Sequence, residues 1–291
     1  MAKVIITAAL TGGVHDKSAN PNLPEQPDEI IEQALECAAA GAAIVHCHAR
    51  LPNGRPTCDP EIFRMIHDGI RSQSDVIVQL TTGGGLGLSV EERYGAIGLA
   101  PEMASLNMGL LNFILGGKEH FFSNMRSEIV AFAEEMRRQN VKPELEVYNI
   151  AMLEEAQFVL SQGILEPPWV INLVLDTPTQ GGLRGTPVNL VEMVRRIHEA
   201  FEVGGDGVLI NVTSCGATQL PISTIAIAMG LNIRVGMEDN VFFRRGELVQ
   251  RNAQLVERAV RIAEQLDREP ATPDEARTTL GLEARVPAVQ A

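Results

Sequence analysis

Two of the chain's six histidines stand one residue apart, in His46-Cys47-His48, at the end of an apolar run. If that run is a strand, side chains at i and i+2 point to one face, so both imidazoles can converge on a single ion. A carboxylate would complete such a set, and Glu238 offers one in Arg234-Val235-Gly236-Met237-Glu238-Asp239-Asn240, at the end of another apolar run. Two neutral imidazoles and one carboxylate are a common catalytic zinc set, which leaves a coordination position open for substrate. Cys47 alternates to the other face and is not expected to ligate. Taken alone, the His-x-His pair also describes two satisfied polar residues at a strand end.

Other polar residues cluster at the ends of apolar runs. Arg234 and Glu238 are four apart and share a face if extended, and a carboxylate beside a guanidinium holds the fork in place. The same spacing fits a salt bridge within a barrel layer. Asp239 alternates away unless the strand has already turned. Thr81-Thr82-Gly83-Gly84-Gly85 follows the third apolar run, where glycines allow close backbone approach and offer successive N–H donors to an anion. Asn107, Glu146 and His15 add polar groups near further run ends. His67, His120 and His198 fall in helical or loop patterns and read as solvated, whereas Met103, Met108 and Met237 read as core.

The elements that must position these residues alternate regularly. Strands are expected over 3–10, 42–49, 76–82, 103–108, 142–148, 169–176, 206–213 and 232–239. Helical patterns lie between them at 28–40, 59–72, 89–98, 124–139, 151–162, 188–202, 217–230 and 248–266, several stopped by glycines such as Gly41, Gly163 and Gly230. Apolar strands flanked by helices signal a parallel sheet covered on both faces. Eight such units fit an α/β class, single-domain (β/α)8 TIM barrel over 1–291, with a C-terminal extension over 267–291 carrying a short helix near 273–280. A doubly wound sheet fits less well, because no Gly-x-Gly-x-x-Gly follows the first strand. In a barrel the chemistry sits at the C-terminal strand ends, where His46, His48, Asn107 and Glu238 fall.

Composition sets limits. With 24 Lys and Arg against 37 Asp and Glu, the net charge is −13, a field that repels phosphate backbones and anionic membranes. No partnership with nucleic acid or membrane is expected. The four cysteines, Cys37, Cys47, Cys58 and Cys215, form no Cys-x-x-Cys pair and read as reduced thiols of a cytoplasmic protein. The start MAKVIITAAL reads as a strand and not a leader, and no apolar run approaches a membrane span.

The segments VHCHAR (45–50), QLTTGGG (79–85), PEMASLN (101–107), KPELEVYN (142–149), ATQLP (217–221), RVGMEDN (234–240) and ATPDEAR (271–277) resemble, in that order, the β-keto acid cleavage enzyme family. The resemblance implies a zinc-dependent (β/α)8 enzyme, usually a homotetramer, that condenses a β-keto acid with acetyl-CoA as co-substrate to give acetoacetate and a new acyl-CoA. It places one Zn2+ per subunit on His46, His48 and Glu238, makes Arg234 and its partner Asp239 catalytic, and puts Thr82 and Gly85 against the substrate. Asn107 stands where many members carry Thr or Ser. In the loop after the first strand, Val14 and His15 stand where members that take an amino-bearing acid carry a carboxylate, which favours neutral or anionic tails. Asp16 is the one nearby acid. Arg50, Arg55 and Arg184 are candidates for CoA phosphates or an anionic tail.

Two other classes are compatible with parts of this pattern. Amidohydrolase-type barrels also use His-x-His, but on the first strand and with later His and Asp ligands, which do not appear here after the fifth and sixth strands. A non-catalytic ligand-binding barrel would need the pocket but not the ligand set.

Overall fold

A computed structural model describes residues 2–201 and 207–284. The expected strand start at Asp206, the helix end at Glu202 and the tail from Arg285 onward lie outside them. Eight parallel strands close a barrel: β1 (Ile6–Ala9), β2 (Ile44–Cys47), β3 (Ile77–Leu80), β4 (Met103–Asn107), β5 (Lys142–Val147), β6 (Trp169–Leu175), β7 (Val208–Ser214) and β8 (Asn232–Val235). They run in sequence order around the barrel, and β8 returns to β1 with Arg234 beside Thr7. The outer helices are α1 (Pro27–Ala39), α2 (Pro60–Arg71), α3 (Val90–Arg93), α4 (Arg126–Arg138), α5 (Ile150–Ser161), α6 (Pro187–Ala200), α7 (Gln219–Ala228) and α8 (Ala253–Gln265), followed by α9 (Pro273–Leu280). The helix expected over 89–98 is one α-turn continued by a 3-10 segment, Tyr94–Leu99. Gly95 lets this segment lie close against the chain before α2, because a Cβ there would lie 2.2 Å from the Cys58 carbonyl oxygen.

Strand residues alternate between two environments. Val45, Val78, Leu106, Leu145, Ile171, Leu173, Ile210 and Val212 join the core shared with the helices. The opposite phase changes character along the barrel axis. Ile5, Ile44, Ile77, Met103 and Val170 form a separate apolar floor with Ala276 and Leu280 of α9. Two residues further along each strand stand Thr7, His46, Gln79, Ser105 and Asn172, all buried. The polar layer therefore begins one pleat above an apolar base, toward the C-terminal strand ends where barrel chemistry sits.

Helix α9 is fixed by a capping box of Thr272 with Glu275 and by Gly281 in the left-handed conformation. Its buried Arg277 donates from Nε to Glu102 Oε1 at 2.6 Å and from Nη2 to the Asp75 carbonyl at 2.6 Å. Arg277→Ala leaves that carbonyl unpaired beneath the floor, so we expect a loss of about 2–3 kcal/mol, seen as a Tm lowered by roughly 5–10 °C. A shift below about 2 °C in thermal unfolding would mean that α9 does not brace the floor.

Among the described residues, three antiparallel ribbons arise outside the expected elements save for Ala49, at the end of the strand expected over 42–49, and Leu248, at the start of the helix expected over 248–266: Ala49–Arg50 with Pro56–Thr57, Leu111–Leu115 with Lys118–Phe122, and Phe242–Arg244 with Glu247–Leu248. The middle one turns at Gly116-Gly117, both at positive φ (58° and 75°), as a two-residue hairpin requires. It is stitched to the loop after β6, with the Ile114 N–H donating to the Pro178 carbonyl at 2.7 Å and the Gln180 N–H to the Asn112 carbonyl at 2.8 Å. Among the described residues no helix is long and apolar enough to cross a membrane.

Candidate active site

His46 lies on β2 between Ala9 and Gln79 of the neighbouring strands, and His48 follows just past the strand end. Their Nδ1 atoms face acceptors, Gln79 Oε1 at 2.7 Å and the Gly84 carbonyl at 3.0 Å. Each Nδ1 therefore carries a ring hydrogen, and in the neutral ring Nε2 is left as a lone pair. Both lone pairs turn to Glu238, with His48 Nε2 3.4 Å from Oε1 and His46 Nε2 3.7 Å from Oε2. Burial pushes His46 down to about 3, against the pull of Glu238, so its ring is neutral. Burial alone would raise the Glu238 carboxyl, but the Arg234 guanidinium holds it well below the ordinary carboxylate range.

This triad fits a divalent cation on two grounds. Its ligand atoms lie within 4.8 Å of one another, and two ligands about 2.0–2.1 Å from a tetrahedral centre stand about 3.3 Å apart. Glu238 Oε2 is buried with no hydrogen-bond partner, a state that a cation would relieve. Cys47 belongs to the core on the other face.

The strand expected over 232–239 stops at Val235, because the chain turns at Gly236. There φ is +150° and a Cβ would lie 1.9 Å from the Ala9 carbonyl oxygen, so only glycine fits. The turn is closed by Asp239 and Asn240 N–H groups donating to the Gly236 carbonyl, at 3.2 and 3.1 Å. It resolves the alternation of Asp239, since both carboxylates now reach Arg234. Asp239 accepts from Nε and Nη2, each at 2.9 Å, Glu238 accepts from Nη2, and Glu146 Oε1 lies 3.4 Å from Nη1. Burial works against the guanidinium's charge, but Asp239 and Glu238 outweigh it and hold its pKa well above the ordinary value. In this arrangement Arg234 is held as a cation. Burial pushes Asp239 up to about 6 and Glu146 up to about 8, with Arg234 opposing both.

These groups open into a cavity of about 640 Å³ at the mouth, lined also by His15, Gly85, Asn107 and Tyr148. Asn107 Oδ1 is buried and unpartnered. The far wall is apolar, made by Leu86 and by Phe113, Leu115 and Phe122 of the middle ribbon.

Several expectations change. Thr82 does not line the cavity, since its hydroxyl donates to the Ser105 carbonyl at 2.7 Å, and Thr81 lines it instead. The glycine loop does not present free N–H donors, because Gly83 and Gly84 donate to Thr81 Oγ1 at 2.9 and 3.2 Å. What it presents is the Gly84 carbonyl that orients His48. Arg50 is buried and donates to the Gly12, His15 and Gly54 carbonyls, which makes it a clamp on the loop after β1 and takes it away from any external phosphate. Arg55 is exposed and does not line the cavity, while exposed Arg184 does, paired to Asp176 at 2.8 Å. Sequence reading also passed over Arg93, buried between Phe122 and Phe132, whose Nε donates to the Thr82 carbonyl at 2.6 Å. A lone buried Arg gives no periodic signal.

Fold and geometry together define a (β/α)8 barrel with a candidate metal centre of two histidines and a glutamate at its C-terminal mouth. A family model described as beta-keto acid cleavage enzyme matches residues 3–282, and the chain belongs to that family. It is 38% identical over 283 residues to the 3-keto-5-aminohexanoate cleavage enzyme of Acetoanaerobium sticklandii, covering 97% of this chain and 99% of the relative. It is 33% identical over 302 residues to the 3,5-dioxohexanoate:acetyl-CoA acetone transferase of Paraburkholderia graminis, covering 96% of each. The apo structure of ObcA matches the fold with a TM-score of 0.76 at 20% identity, over 91% of this chain and 66% of that one. The chain thus spans just under two thirds of that structure's length.

Proposed function

We propose that this protein is a zinc-dependent β-keto acid cleavage enzyme, acting in the cytoplasm as a homotetramer with one ion per subunit held by His46, His48 and Glu238. Its reaction joins the carbon between the keto and carboxylate groups to the acetyl carbon of acetyl-CoA, with CoA thiolate leaving. The thiolate then adds to the original keto carbon, and the carbon–carbon bond to that centre breaks to give acetoacetate and a new acyl-CoA. The observation that carries this reading is the convergence of two Nε2 lone pairs and an orphaned carboxylate oxygen beside the Arg234 fork. Names of relatives that act with acetyl-CoA support it.

Bound there, the ion supplies a Lewis acid that polarises the keto oxygen. His46 and His48 bring no charge and Glu238 brings one, so a divalent site keeps a net positive charge that attracts a β-keto carboxylate. Arg234, fixed by Asp239 and Glu238 with Glu146 at its remaining nitrogen, aims a positive charge at the point where negative charge collects as the substrate loses its proton. Asn107 and Thr81 offer hydrogen bonds to the keto-carboxylate head, while Val14 and the apolar wall receive the tail. Val14 and His15 line the cavity and Asp16 does not, so neutral or anionic tails are expected to outperform cationic ones.

Labelling tests the reaction. With acetyl-CoA labelled in the acetyl group, the label is expected in acetoacetate and not in the new acyl-CoA, across a panel of β-keto acids of differing tail charge. Turnover without acetyl-CoA would overturn the proposal in favour of a hydrolase.

A further inference from the structure

Beneath the metal-ligand triad lies a carboxylate for which the proposed reaction has no use. Glu144 is buried in the lumen on β5, one pleat below Glu146. It accepts from Gln79 Nε2 at 3.1 Å and from Asn211 Nδ2 at 2.8 Å, one amide to each oxygen. Gln79 in turn presents Oε1 to His46 Nδ1 at 2.7 Å. An amide nitrogen only donates, an amide oxygen only accepts, and a neutral imidazole has one nitrogen of each kind. The three contacts are therefore not independent. A carboxylate facing one end of Gln79 fixes the sense of the amide, and the amide fixes which nitrogen of His46 is protonated.

We infer that Glu144 is a positioning residue for the metal centre, holding Gln79 with its oxygen toward His46 so that the His46 Nε2 lone pair faces Glu238. The inference rests on the proposed metal site. With Gln79 turned over, Nε2 of the amide would face Nδ1 of the ring, the ring hydrogen would move to Nε2, and that nitrogen would meet a cation with a hydrogen instead of a lone pair. Burial shifts the Glu144 carboxyl upward, but Arg234 and the two amide donors oppose it, and with one amide N–H on each oxygen both oxygens act as acceptors. Outer hydrogen bonds of this kind typically change metal affinity by about 10–100-fold.

The test uses Glu144→Gln, an isosteric change that leaves one acceptor oxygen for two amide donors and so frees Gln79 to turn. Zinc affinity of the full chain by chelator competition is expected to fall about 10–100-fold. In the metal-free protein, nitrogen NMR is expected to show His46 shifting from the Nδ1–H toward the Nε2–H tautomer. Gln79→Leu, which cuts the chain at its middle, is expected to give a similar loss, and the two losses are expected not to add. The exchanged pair Gln79→Glu with Glu144→Gln reverses the donation between the two positions but still leaves an acceptor for the His46 Nδ1–H and one for Asn211 Nδ2, and it is expected to recover affinity to within a few-fold of wild type. Unchanged affinity and tautomer in Glu144→Gln would overturn the inference. If that variant fails to fold, a failed exchange rescue, measured against Gln79→Leu, would overturn it equally. A wild-type protein that binds no divalent ion would sink the proposed function, while the tautomer measurement on metal-free protein would still decide the role of Glu144.

Discussion

Replacing His46 and His48 together by alanine is expected to reduce bound zinc from one ion per chain to background and to abolish acetoacetate formation, with the barrel still folded. Two of three ligands go at once, and Glu238, already shared with Arg234, cannot hold an ion alone. Stabilisation of a developing negative charge by a metal is worth several kcal/mol, so activity should fall by about 1,000-fold or more. The fold should survive because the apolar floor and the helix-facing core lie elsewhere. Elemental analysis with circular dichroism checks both halves, and full zinc occupancy in the double variant would remove the ligand assignment.

Arg234→Lys is expected to lose about 100- to 1,000-fold in kcat while retaining zinc, the range seen when a preorganised donor to a developing charge is removed. Lysine keeps the charge, but its single ammonium cannot reproduce a planar fork that reaches Asp239 twice, Glu238 once and Glu146 from the remaining nitrogen. Because His46, His48 and Glu238 remain, metal content separates this defect from ligand loss. A near wild-type rate would make the arginine a structural bridge within the barrel layer.

The barrel is legible in the sequence because its strands are short β-branched runs at regular spacing, with Gly and Pro marking the intervening helices. The His-x-His pair and Glu238 are legible because position relative to a strand end is enough to bring them together. Legibility fails one or two residues beyond each strand, where alternation stops governing direction. β3 ends at Leu80, so the sequence cannot say whether Thr81 or Thr82 faces the mouth. β8 ends at Val235, and the turn at Gly236 decides what Asp239 can touch. Gln79 and Glu144 are in phase with His46 and Glu146, but their linkage depends on which strands are neighbours and in what register. Arg93 goes unseen, and Arg50 is given an external ligand, because a pattern reading puts guanidinium groups at the surface, while here they bind backbone carbonyls in the interior. The Leu111–Phe122 ribbon goes unseen because it is short and carries Lys, Glu and His among its aromatics.

The apolar floor closed by α9 has a consequence for how the enzyme meets temperature. The upper lumen crowds Glu146, Glu238 and Asp239 around one guanidinium with Glu144 a pleat below, and removing such groups from water works against folding. The folding free energy that tolerates this crowding comes largely from apolar packing, part of it at the opposite end of the same eight strands. Thermal tolerance and substrate choice are thereby assigned to opposite poles of one barrel. Adaptation to heat or cold can work through α9 and the floor residues while the mouth goes on selecting the same acids.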